Sequence, residues 1–202
     1  MRIGLYLPDD KKELYEEAKK RLEKEGRSMS QLFLEALEHY LKTAPPIDVE
    51  RKVLEFIRYV MGKAGLDLIV EENFKLGKLR PDAAILDSFS GDPIAVIEVK
   101  KLERRIPMAD LDFIDEELEY AHAEIARKYL PLLIKQAIPY LLIAYVDKTG
   151  KLLRIDLLDI TTFDKFSVRL RPKEPDLSSA LEKMFKDFFD IEEVDRRLQL
   201  LK

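Results

Sequence analysis

The stretch Ile94-Ala95-Val96-Ile97-Glu98-Val99-Lys100 decides the reading of this chain. A run of apolar residues this dense reads as a strand buried on both faces. Yet it carries Glu98 and Lys100, two positions apart and therefore side by side on one face. Burying two charges is costly unless they are paired or hold a cation. The preceding apolar run, Leu79–Asp87, contains Arg80-Pro81-Asp82, and only the loop Ser88–Pro93 separates the two runs. A hairpin-type connection brings Asp82 toward Glu98 and Lys100, so two carboxylates and an ammonium group can converge. Carboxylate oxygens suit hard divalent cations, magnesium or manganese.

Working outward, Ile47–Lys63 reads as a helix with Val53, Leu54, Ile57, Val60 and Met61 as its apolar stripe. Glu50 lies in its first turn on the side of Leu54 and Ile57, whereas Glu55 falls on the polar side with Arg51 and Arg58. Leu66–Val70 is a short strand, and Lys75-Leu-Gly77-Lys is a turn. Asp110–Ala137 is a long helix that Pro131 is expected to kink or interrupt. Tyr140–Val146 and Leu152–Leu158 are strands joined by the hairpin signal Asp147-Lys-Thr-Gly150. The order is helix, three strands, helix, two strands, which predicts an α/β domain with a mixed central sheet flanked by helices. Residues 173–202 form a charged C-terminal extension. Its stripe Leu181, Met184, Phe185, Phe188 and Phe189 predicts an amphipathic helix packed on the domain or on a partner subunit.

Residues 1–44 form a separate pattern. Arg2–Leu7 alternates, with Ile3, Leu5 and Leu7 on one face and Arg2, Gly4 and Tyr6 on the other. Pro8-Asp9-Asp10 opens a helix that Gly26 stops, and Ser28 or Ser30 caps a second one. Thr43-Ala-Pro-Pro46 ends it as a stiff linker. One strand and two helices cannot bury a core alone, so two copies are expected to pair.

Composition narrows the chemistry. The chain has 202 residues, 47% hydrophobic and 37% charged, with no Cys and a net charge of −4. The lack of Cys removes thiolate nucleophiles and zinc–sulfur sites, and His39 and His122 are the only imidazoles. No apolar run approaches the roughly 20 residues needed to span a bilayer. The opening residues have no signal-peptide pattern, so a cytoplasmic protein is expected. No Gly-x-x-x-x-Gly-Lys loop is present, so no nucleotide cofactor is expected.

Pro81-Asp82 followed by Glu98-Val99-Lys100 resembles the PD-(D/E)XK signature of restriction-endonuclease-like nucleases. Residues 47–172 are read as that nuclease-like domain, and the segment from Val49 through Lys100 is most similar to the N-terminal nuclease domain of type I restriction-enzyme motor subunits. The Arg2–Leu7 strand, Leu-Pro-Asp-Asp and Gly26-Arg-Ser-Met-Ser-Gln31 resemble a ribbon-helix-helix module. These resemblances imply a restriction-endonuclease-like core and metal-dependent hydrolysis of DNA, as an endonuclease or exonuclease, to 5′-phosphate and 3′-hydroxyl ends. They imply Mg2+ or Mn2+ held by Asp82, Glu98 and the Val99 carbonyl, with Lys100 positioning water and Glu50 assisting the metal. Gln136 and Tyr140 match a Gln-x-x-x-Tyr pair that positions DNA in one branch of the family. The N-terminal module implies a homodimer, with Arg2 and Tyr6 facing DNA and the helix start at Ser28 and Ser30 gripping a phosphate. Separately, Arg80 and Lys101, with Arg104 and Arg105, can line a DNA-binding face near the catalytic site.

Other readings stay open for most of these residues. The Asp, Glu and Lys can form a structural ion pair, Glu50 can serve the helix dipole, and Gln136 can be a helix-end polar group. Tyr140 can simply begin a strand. His122 reads as a surface or packing residue, and Arg80, Lys101, Arg104 and Arg105 can be solvated charge. For the whole chain the alternatives are a DNA-binding regulator with an inactive nuclease-like domain, or an antitoxin-like binder of a protein partner.

Overall fold

The apolar run around Glu98 forms the longest strand of a six-stranded sheet, which runs in sequence order: β1 (Leu68–Glu72), β2 (Ala83–Asp87), β3 (Pro93–Lys101), β4 (Tyr140–Val146), β5 (Leu152–Asp159) and β6 (Lys165–Arg169). All neighbours are antiparallel except β3 and β4, which are parallel. A parallel pair needs a long crossover. The chain supplies one through a 3-10 turn at Met108–Phe113 and a helix at Asp115–Lys135. The computed structural model describes residues 12–32, 34–36, 48–170 and 177–201. Two compact units result, Met1–Ile47 and Asp48–Lys202.

In the first unit, α1 spans Lys12–Lys24 and Gly26 stops it with a left-handed φ of 67°. The described residues 29–32 and 34–36 are helical. Ser28 is the cap: its Oγ accepts from the Gln31 N–H at 3.2 Å, and Gln31 Oε1 accepts from the Ser28 N–H at 2.8 Å. This reciprocal pair is a capping box. The expected strand at 2–7, with Arg2 and Tyr6, lies outside the described residues.

In the second unit, α2 (Val49–Ala64) starts at Asp48, whose carboxylate accepts from the Arg51 N–H at 3.0 Å. It ends at Gly65, where φ is 75°. The long crossover helix is α3 (Asp115–Lys135), and α4 (Ser178–Phe188) and α5 (Ile191–Leu201) close the chain. Pro131 does not interrupt α3. Apolar anchors on both sides of it, Ile125, Tyr129 and Leu133, hold the helix to the sheet.

The helices cover both faces. Tyr129 and His122 of α3 bond Glu98 and Asp156 on one face. Tyr140, opposite Ala95 and so facing the other way, packs edge-on against Phe188 and Phe189. The amphipathic tail thus packs on its own domain: Leu181 and Phe185 are fully buried, and α4 lies against α2. Between the layers β4 is buried along its whole length. No helix among the described residues is long and apolar enough to cross a membrane.

Candidate functional site

The β2–β3 register pairs Ala83 with Ile97. One residue further along that ladder, Asp82 stands opposite Glu98. Asp82 is tied to β3 by the Val99 N–H, which donates to its Oδ2 at 2.6 Å. Lys100, two residues beyond Glu98, shares the Glu98 face and is half-buried. Among the described residues its ammonium has no ion-pair or hydrogen-bond partner. Asp82 and Glu98 are therefore brought together, with Lys100 on the same face beside them.

Burial drives the Asp82 carboxyl up to about 6, and the charges of Glu98 and Glu50 push it the same way; the Val99 N–H and Lys128 pull it down. Two acids thus act on Asp82 against one cation, and that cation is Lys128 of α3. Glu50, exposed in the first turn of α2, shares a cleft of about 340 Å³ with Asp82, Arg51, Lys75 and Arg80. Glu55 is occupied elsewhere, by Arg51 at 3.0 Å.

Glu98 is held at both oxygens. Tyr129 donates its hydroxyl to Oε2 at 2.5 Å, and Lys128 donates to Oε1 at 3.1 Å. Burial and the nearby charges of Glu98 and Asp82 push the Tyr129 hydroxyl well above the usual tyrosine range, so it stays a donor. Sequence reasoning missed both partners. One signal was present: a tyrosine within the aliphatic Ile125–Leu133 stripe needs a buried acceptor for its hydroxyl. Among the described residues, no three His, Cys, Asp or Glu side chains converge as a metal ligand set.

Two expected residues fall elsewhere. Gln136 is the exposed C-cap of α3, and the positive φ of 52° at Ala137 turns the chain out of the helix before Tyr140. Tyr140 is fully buried at the start of β4, opposite Ala95 rather than Glu98, so it cannot contact DNA. Arg80 and Lys101 are exposed. Ser28 and Ser30 are exposed in the first unit, and the Ser28 hydroxyl is committed to its cap.

A second charged cluster lies on the same sheet face. Glu98 is followed across the ladders by Ile143, Asp156 and Ser167, and Lys100 by Tyr145, Arg154 and Arg169. Asp156 is fully buried. Arg154 donates to both of its oxygens at 2.6 and 2.8 Å, Ser167 at 2.7 Å, and the His122 Nδ1 lies 3.1 Å away. Burial alone would raise this carboxyl, but these partners bring it down to about 2. Of the two readings of His122, surface or packing, the structure has the packing one: the ring partners a buried acid.

No protein-family model, curated protein or solved structure matches the chain.

Proposed function

We propose that the Asp48–Lys202 unit is a metal-dependent nuclease that hydrolyses DNA phosphodiester bonds. The observation that carries this is the under-compensated acid pair. Asp82 sits half-buried beside Glu98, with Glu50 nearby and its carboxyl raised to about 6. Such a site gains most from a divalent cation. Mg2+ commonly binds through one or two carboxylates and keeps several waters, so the small ligand set fits. Asp82, Glu98 and the Val99 carbonyl would hold the ion, with Glu50 assisting. When bound, the ion polarises a phosphoryl oxygen and acidifies a water.

The chain's own groups complete the chemistry. Lys100, half-buried and unpaired among the described residues, orients the attacking water and stabilises charge developing on the phosphate. Tyr129 fixes the orientation of Glu98. Arg80 and Lys75 in the cleft, with Lys101 nearby on β3, supply contacts to the phosphate backbone. The strand order, the one parallel pair and the helical crossover support a restriction-endonuclease-like core. The capping box at Ser28 supports, in the first unit, a ribbon-helix-helix arm that dimerises the chain and contacts DNA.

One observation favours a second reading, a regulator whose nuclease-like site is inactive: both Glu98 oxygens already have partners. A plasmid-nicking assay with and without Mg2+ or Mn2+ separates the two. Wild type should cut only with the metal, and Asp82→Ala and Lys100→Ala should each lose at least about a hundredfold in rate while keeping the wild-type circular dichroism. Cutting by both variants at the wild-type rate would refute the assignment. Footprinting without cutting would favour the regulator.

A further inference from the structure

Lys128 and Tyr129 are successive residues of α3, yet both end on the same carboxylate. Their settings differ. Tyr129 is fully buried, whereas the Lys128 side chain is 46% exposed. The Lys128 ammonium lies 4.6 Å from the centre of the Tyr129 ring, so the ring steadies it at the rim of the site. Lys128 also acts on Asp82, the other half of the acid pair. The lysine of the strand motif, Lys100, pairs with neither acid.

An ion pair this exposed is weak and readily exchanged. A divalent cation placed between two carboxylates attracts both and repels an ammonium in the same seat. We propose that Lys128 is the resident counter-ion of the Asp82–Glu98 pair in the metal-free protein, and that a divalent cation displaces it. The freed ammonium, on a flexible stem at the rim, then takes a phosphate of the substrate strand. Tyr129 stays in place during the exchange and keeps Glu98 aimed at the ion. This rests on the nuclease reading and adds its metal-gated step: metal entry creates a phosphate contact that the metal-free protein lacks.

The test measures Mn2+ binding by electron paramagnetic resonance, without nucleic acid, for wild type, Lys128→Gln and Lys128→Met. Lys135→Gln, on the last turn of the same helix, is the control. Both Lys128 variants should bind Mn2+ roughly tenfold more tightly, because a competing cation is gone, while the control stays within about twofold of wild type. In Ca2+, the same two variants should bind a duplex oligonucleotide several-fold more weakly than wild type, and equally to wild type in a chelator. Wild-type or weaker Mn2+ binding by both Lys128 variants overturns the exchange but leaves the nuclease reading standing. Absence of Mn2+ binding by every protein, wild type included, overturns both.

Discussion

Two acid clusters on one face of one sheet are compensated differently. Glu98 and Asp156 lie in the same cross-strand row, two strands or about 10 Å apart. Around Asp156 the fold supplies a guanidinium, a hydroxyl and an imidazole, and the carboxyl falls to about 2. Around Asp82 and Glu98 it supplies one peptide N–H, one tyrosine and one half-exposed lysine, and Asp82 rises to about 6. Burial alone cannot explain the difference, because the deeper acid is the one held ionised. The number of donors that reach each acid, not its depth, sets the direction of its shift.

The largest break in this comparison should come from Asp156→Ala, which leaves the buried Arg154 guanidinium without its main partner. Urea denaturation at pH 7 should show a loss of about 3–5 kcal/mol. Because Asp156 is depressed, its contribution is present above the ordinary value of 3.8 and is lost as pH falls toward 2. The gap between wild type and variant should therefore narrow across that interval. An unchanged midpoint at pH 7 would place the Arg154 charge in water.

A middle-sized effect should sharpen the contrast. Mg2+ at a hundred times its dissociation constant should stabilise wild type by about 2.7 kcal/mol, read as a rise in melting temperature. Asp82→Asn should show almost none of that rise, and Asp156→Ala should keep it. Equal rises in wild type and Asp82→Asn would locate the ion elsewhere.

The smallest effect has the opposite sign. Asp82 is raised, so its contribution is full below 3.8 and is lost as pH climbs through about 6. In chelator at pH 8, Asp82→Asn should be more stable than wild type by about 1–2 kcal/mol, after discounting for solvent screening. That gain should vanish by pH 4. Destabilisation at pH 8 would mean that the carboxylate is needed for the Val99 hydrogen bond.

The sheet centre was legible because a charge inside an apolar run is itself a message. Glu98 marked a face, and the short Ser88–Pro93 loop put Asp82 opposite it. The hairpin at Asp147 was legible too, from Asp-x-Thr followed by Gly150; its carboxylate accepts from the Thr149 N–H and hydroxyl. Asp159-x-Thr161 builds the same turn without a glycine of its own, and the strand it introduces, β6, went unread. Lys128 and Tyr129 were invisible for a different reason. They reach Glu98 from thirty residues away through a helix crossing, and local spacing carries no record of that crossing. For Gln136 and Tyr140 the backbone follows the plainer of the two readings: Gln136 caps the helix, Ala137 turns the chain, and Tyr140 begins a strand.

The single parallel pairing has a kinetic consequence. The other ladders of this sheet join strands linked by short connections, but β3 meets β4 only after the segment from Leu102 to Pro139 has looped back. Loop closure over that distance is entropically slow, so this ladder should be among the last to zip. Helix α3 lies within that loop. A nascent or partly unfolded chain would therefore hold Asp82 and Glu98 on a bare hairpin, without the lysine and tyrosine that govern them.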